Sequence, residues 1–71
     1  MTIDEKVNAL KAVGCVEFDR RSIPENWKNP KTGEWEYERV WHIIRINGVA
    51  RGAGLTLLEA INSAYKNVIE K

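Results

Sequence analysis

Ile43-Ile44-Arg45-Ile46-Asn47-Gly48-Val49-Ala50-Arg51-Gly52-Ala53-Gly54-Leu55-Thr56-Leu57-Leu58-Glu59-Ala60 is the stretch that decides the fold. Asn47-Gly48 between strand-forming residues is the strongest short hairpin signal, a type I′ turn whose central residues both take positive φ. A two-residue turn also fixes the pairing: Ile46 opposite Val49, Arg45 opposite Ala50 and Ile44 opposite Arg51. Gly52-Ala53-Gly54 is then read as breaking the strand. Thr56 and Glu59 have the spacing of a capping box, so a helix is predicted from there. Leu57, Ala60, Ile61, Ala64 and Val68 recur on one face of that helix, and Leu58, Tyr65 and Ile69 broaden it. Lys66 and Lys71 suit the negative end of its dipole.

Working back from the hairpin, Trp35 to Ile46 reads as a strand. It is preceded by Asn29-Pro30-Lys31-Thr32-Gly33, a run of turn formers that sits between Trp27 and Trp35. Before that turn, Val16 and Phe18 alternate with Glu17 and Asp19 as a half-buried strand does. Arg20, Arg21 and Ser22 continue the strand, and Pro24 ends it or confines it to an edge. The N-terminal segment is helical. Thr2 and Glu5 form a second capping-box pair, Asp4 and Glu5 favour the positive end of the dipole, and Gly14 is the stop. Ile3, Val7 and Leu10 make its apolar stripe, widened by Ala9 and Val13. Lys6 and Lys11 fall off the stripe and are predicted to face water. The chain therefore reads as one α+β domain over residues 1–71: helix, three-stranded antiparallel sheet, helix (αβββα), with both helices on one face of the sheet.

Hairpin arithmetic sorts the strand residues. If the first hairpin is centred on its turn and pairs Trp27 with Trp35, continuing without a bulge pairs Phe18 with Ile44 and Val16 with Ile46. Directly opposed residues share a face. One face then carries Val16, Phe18, Ile44, Ile46 and Val49, a coherent surface for both helices. The other carries Glu17, Asp19, Arg21, Trp41, Ile43, Arg45 and Ala50. With two helices already used, this second face is left to solvent. Trp41 and Ile43 become an exposed apolar patch ringed by charge, which marks a contact surface. A single bulge would invert the assignment, because the side-chain period is two.

Composition bounds the function classes. Of 71 residues, 44% are hydrophobic and 30% charged, as in an ordinary folded domain. A formal net charge of +1 is too small for strong nonspecific binding to a polyanion. One Cys and one His cannot build a disulfide framework or an all-His/Cys metal site. No stretch reads as a signal peptide or a membrane span, so a cytoplasmic location and no membrane partner are expected.

The residues offer little chemistry. His42 lies within a strand, and nothing places the lone thiol of Cys15 beside it as a catalytic pair needs. Gly52-x-Gly54 before a helix lacks the remaining glycine and lysine positions of a phosphate loop; turn formation and close packing are its natural roles. Glu34, Glu36 and Glu38 alternate with Trp35, Tyr37 and Arg39, either a solvated row or a site for a cation or a basic partner. Trp27 and Trp35 flank a turn holding Lys28 and Lys31, either a cross-strand pair pinning the hairpin or an arm with aromatic and basic tips. No enzyme, no cofactor and no metal site is expected.

The element order is that of the double-stranded-RNA-binding domain. Gly52-Ala53-Gly54-Leu55-Thr56-Leu57-Leu58-Glu59-Ala60, with Ala64 four residues on, resembles that family's closing motif. Thr56 stands where the family has Ser, and both alanines match. The two phosphate-gripping lysines are Leu57 and Leu58 here, and no Gly-Pro-x-His occurs in the first hairpin loop. The resemblance implies the fold more than RNA binding. Thr56-Leu57-Leu58-Glu59-Ala60, with Trp41 in the sheet, also resembles small phage-encoded α–β–α sandwich proteins. That likeness implies a phage or mobile-element accessory protein that binds, and inhibits, a host or defence protein.

The expectation is thus a non-enzymatic binding module for a protein partner, or for a second copy of itself as a symmetric dimer. Its surface would be Trp41, Ile43, Arg21 and Arg45, extended by the arm residues Trp27, Trp35 and Lys31. The alternative is a nucleic-acid-binding domain, with Arg20, Arg21, Lys28, Lys31, Arg39, Arg45 and Arg51 as a basic stripe beside stacking tryptophans.

Overall fold

The computed structural model describes residues 1–70. Its elements are α1 (Ile3–Val13), β1 (Val16–Lys28), β2 (Trp35–Ile46), β3 (Val49–Gly54) and α2 (Leu57–Val68). The sheet is antiparallel, with strand order β1-β2-β3. The αβββα reading is therefore the observed architecture.

Both helices start where their caps place them. At α1 the capping box is complete: the Glu5 amide donates to Thr2 Oγ1, and the Thr2 amide donates to the Glu5 carboxylate. At α2 only half of it forms. The Glu59 amide donates to Thr56 Oγ1 at 3.2 Å, but the Glu59 carboxylate accepts from the Leu55 amide instead of Thr56. Gly14 ends α1, its amide donating to the Leu10 carbonyl. Lys6 does not simply face water. Its Nζ donates to Asn62 Oδ1 at 2.8 Å and lies over the Tyr65 ring, joining α1 to α2. The expectation for Lys71 falls outside the described residues.

The core is Leu10 of α1, Ile44 and Ile46 of β2, and Ala60, Ile61 and Ala64 of α2. Ile3, Val7, Val16 and Val68 pack around it. All these strand residues belong to one face, so both helices cover that face. Close approach of α2 depends on β3. A Cβ on Gly52 would collide with the Ala64 backbone nitrogen and come within 2.7 Å of the Ala60 carbonyl oxygen. One on Gly54 would lie 2.5 Å from the Glu59 Cβ. These glycines do not break the strand: β3 runs through them, and Gly52 and Gly54 pair with Ile44 and His42. They are bare so that a helix backbone can lie on the sheet.

Pairing departs from the expected register in two places. At the second hairpin Ile46 faces Val49 and Arg45 faces Ala50, as predicted, but Ile44 faces Gly52 and Arg51 is bulged. Asn67 Nδ2 donates to the Arg51 carbonyl at 2.9 Å, so α2 satisfies a group the bulge frees. At the first hairpin Trp27 faces Glu36 and Lys28 faces Trp35, one step from the expected Trp27–Trp35 pair. A bulge between Pro24 and Trp27 removes that step, and Phe18 opposite Ile44 and Val16 opposite Ile46 are as expected. The faces are therefore as predicted because two offsets cancel.

The predicted core face needs one correction. Phe18 is 53% and Val49 50% exposed. α2 lies against β3 and β2, α1 packs on α2, and neither helix lies along β1. Phe18 thus has the right face and no cover, and Val49 stands at the open end beside the turn. Pro24 does not end β1, which continues on the sheet edge to Lys28.

β1 and β2, of 13 and 12 residues, outrun the 6 residues of β3. At about 3.3 Å per residue β2 alone accounts for the longest dimension, 39 Å. Their far half is an arm, closed by the loop 29–34. In that loop the Lys31 amide donates to Asn29 Oδ1, the Gly33 amide donates to the Asn29 carbonyl, and Gly33 has φ of 75°.

Candidate protein-contact surface

On the face away from the helices, the register places Arg39, Trp41, Ile43 and Arg45 of β2 beside Ile23, Arg21, Asp19 and Glu17 of β1. Ala53 stands opposite Ile43 on β3. This is the predicted open face, and it gathers Trp41, Ile43, Arg21 and Arg45. They are less bare than expected: Trp41, Ile43 and Arg45 are half-buried, and Arg21 is exposed. The cover comes from neighbouring long side chains. Arg45 Nε donates to Asp19 Oδ2 at 3.2 Å across the strands, flanking Ile43. Asp19 also accepts from the Arg20 amide at 2.8 Å. That backbone bond first, and Arg45 second, hold its carboxyl below the usual range.

Arg39 is the organising residue of the arm. Its guanidinium carbon lies 4.4 Å from the Trp27 ring centroid and 5.7 Å from that of Trp41. Its Nη2 meets Glu25 Oε1 at 3.2 Å. Held between rings, it leaves its buried Nε without an acceptor. Sequence reasoning placed Arg39 in a basic stripe and missed this. The usable signal was a planar cation among tryptophans.

Trp27 and Trp35 are not a pair. Trp27 is 8% exposed, and its Nε1 donates to the Glu38 carbonyl at 2.7 Å; Trp35 is 69% exposed. Lys31 is no free basic tip either, because it forms an ion pair with Glu59. Glu59 thus joins the loop 29–34 to the start of α2. Lys31 first, and the Leu55 and Thr56 backbone after it, keep the Glu59 carboxyl below its ordinary value.

A groove of about 670 Å³ runs along the arm. It is lined by Trp27, Trp35, Glu36, Tyr37, Glu38, Val40 and Leu55, with Asn29 at the loop. Over Trp35–Trp41, β2 has a neighbouring strand only on the β1 side, because β3 begins its pairing at His42. Tyr37 and Leu55 were absent from the expected site. Leu55 arrives there through the tertiary course of the chain, which no local spacing shows.

The remaining candidates do not converge. His42 faces Arg20 and Gly54 in mid-sheet, whereas Cys15 is exposed and bonds to Asn47 at the hairpin end, roughly 16 Å along β2. Among the described residues no helix is long and apolar enough to cross a membrane. The chain matches no family model, and no curated protein or solved structure is significantly similar to it.

Proposed function

We propose that this domain is a non-enzymatic module that binds a protein through the open face of its sheet. The observation that carries the reading is the placement of Trp41 and Ile43 at the centre of a face that neither helix covers. A flat surface with an aromatic anchor, an aliphatic neighbour and an arginine rim has the composition of an interface core. Arg21, exposed and opposite Trp41, supplies that rim. A second copy of the chain is the other partner such a face would accept, in a two-fold dimer.

The partner class we propose, a host or defence protein met by a phage or mobile-element product, comes from the resemblance of the closing helix to phage-encoded sandwich proteins. The nucleic-acid alternative draws less from the geometry. Arg39, Arg45 and Lys31 are engaged with carboxylates, and Arg20 and Arg21 are successive on β1 and so point to opposite faces.

Affinity capture and sedimentation of the wild type against Trp41→Glu and Arg21→Glu test the reading. Both variants are expected to lose the captured partner or the dimer while keeping their circular dichroism. Unchanged capture and unchanged mass in both would remove the open face as the contact surface. Anisotropy with duplex RNA, duplex DNA and single-stranded DNA tests the alternative. Binding that persists at near-physiological salt would favour it.

A further inference from the structure

The groove along the arm holds charge that its own walls leave uncompensated. Its lining contains the carboxylates of Glu36 and Glu38 and, among the described residues, no lysine or arginine. Glu36 accepts from the neutral amide of Asn29 at 3.1 Å, and Glu38 accepts from the Ser22 hydroxyl at 2.6 Å. Neither joins an ion pair among the described residues. Trp27 stands opposite Glu36 and shares its face, while Trp35 and Tyr37, 69% and 84% exposed, alternate with the glutamates on β2 and border the groove from the other face of the arm. Aromatic faces and carboxylates attract the same thing, a cation that has given up part of its water. Val40 and Leu55 offer apolar surface for the methylene stem of a long basic side chain. Arg39 already shows the preference next door: it sits over Trp27 and lies outside the groove lining.

We infer that the groove is a docking site for a basic segment of a protein partner, with its Arg or Lys side chains beside Trp27 on the face of Glu36 and Glu38, which serve as their counter-ions, and its alternate side chains against Trp35 and Tyr37 on the other face. A volume of about 670 Å³ suits side chains of a bound segment. The flank of β2 over Trp35–Trp41, which lacks a strand on its β3 side, lets that segment lie extended. A second copy is a poorer occupant: two such flanks brought together would set one glutamate row against the other. The inference rests on the protein-binding reading for the class of partner, and it adds a contact distinct from the open face.

The probe is fluorescein-labelled, N-acetylated Val-Arg-Val-Arg-Val-Arg amide, with its lysine and glutamate counterparts, titrated by anisotropy at near-physiological salt. The basic peptides are expected to bind and to shift the Trp27 and Trp35 indole N–H resonances, and the acidic one is not. Trp35→Ala should weaken binding about tenfold, or ~1.4 kcal/mol. Glu36→Gln with Glu38→Gln, which keeps the hydrogen-bond acceptors, should weaken it at least as much. No binding of either basic peptide at millimolar concentration overturns the inference. Equal binding of the acidic peptide, or binding indifferent to both variants, overturns it as well. Trp41→Glu in the same titration separates the two contacts. Peptide binding kept, with partner capture lost, supports both surfaces. Peptide binding absent from wild type, with capture sensitive to Trp41, sinks the groove and leaves the open face standing.

Discussion

Asn47 serves two elements at once. Its φ of 53° makes the first half of the type I′ turn, with Gly48 at 79°. Its side-chain Oδ1 accepts from the Cys15 amide at 2.9 Å, and its own amide donates to the Cys15 carbonyl at 2.9 Å. It thereby fixes the α1–β1 junction against the hairpin. Asn47→Ala loses the side-chain bond and puts into left-handed backbone a residue that tolerates it less readily than Asn. A loss of about 2 kcal/mol is expected in urea unfolding. Asn47→Gly should lose less, because only the bond to Cys15 goes. Gly52 is the other residue on which much depends. Gly52→Ala sets a methyl group against the α2 backbone at Ala60 and Ala64, which cannot yield as a side-chain tip would. Destabilisation of about 2–3 kcal/mol, on the order of 10–20 °C in melting midpoint, is the expected outcome of a calorimetric comparison.

At the scale of elements, the arm has two kinds of support. Arg39 clamps its base between Trp27 and Trp41, and the Lys31–Glu59 pair ties its loop to α2. Arg39→Lys keeps the charge but loses the flat face that stacks on both rings. A red shift and increased quenching of tryptophan emission are expected, with a stability loss of about 1 kcal/mol. Lys31→Ala releases the loop without touching the core. Its melting midpoint should be nearly that of wild type, while amide exchange over Asn29–Glu34 becomes faster. Equal exchange rates in the two proteins would mean that the tether does not hold the loop. The arm residues were visible in the sequence as a turn flanked by tryptophans. Their environments were not: a bulge shifts Trp27 from its expected partner and Arg39 stacks on its ring, while Trp35 stays exposed.

For the whole molecule, the acid limb of stability follows from Asp19 and Glu59. Both carboxyls titrate lower in the folded chain than in an unfolded one. In the acid range the unfolded state therefore binds more protons, and stability rises with pH there. Their contribution is present at neutral pH and is lost as pH falls below about 4, the ordinary carboxylate range. Denaturant midpoints for Asp19→Asn and Glu59→Gln should converge on wild type below that range and diverge above it. Midpoints that differ by the same amount at pH 3 and pH 7 would show that neither carboxylate is involved.

The sequence by itself determined the elements and their order. Caps at Thr2 and Thr56, the stop at Gly14, the Asn47-Gly48 turn and the Asn29–Gly33 loop are local signals, each set by the backbone needs of a few neighbouring residues. It also determined that Ile44 and Ile46 share a buried face, because turn geometry and a period of two propagate along a strand. Only the tertiary structure decided the bulges at Arg51 and before Trp27, since an extra residue leaves no mark on hydrophobic alternation. It alone decided that Phe18 stays uncovered, because the helices follow the close approach permitted at Gly52 and Gly54 and leave β1 bare. The groove, too, required the fold. Its walls come from three separate segments, brought together by an arm longer than the strand beside it.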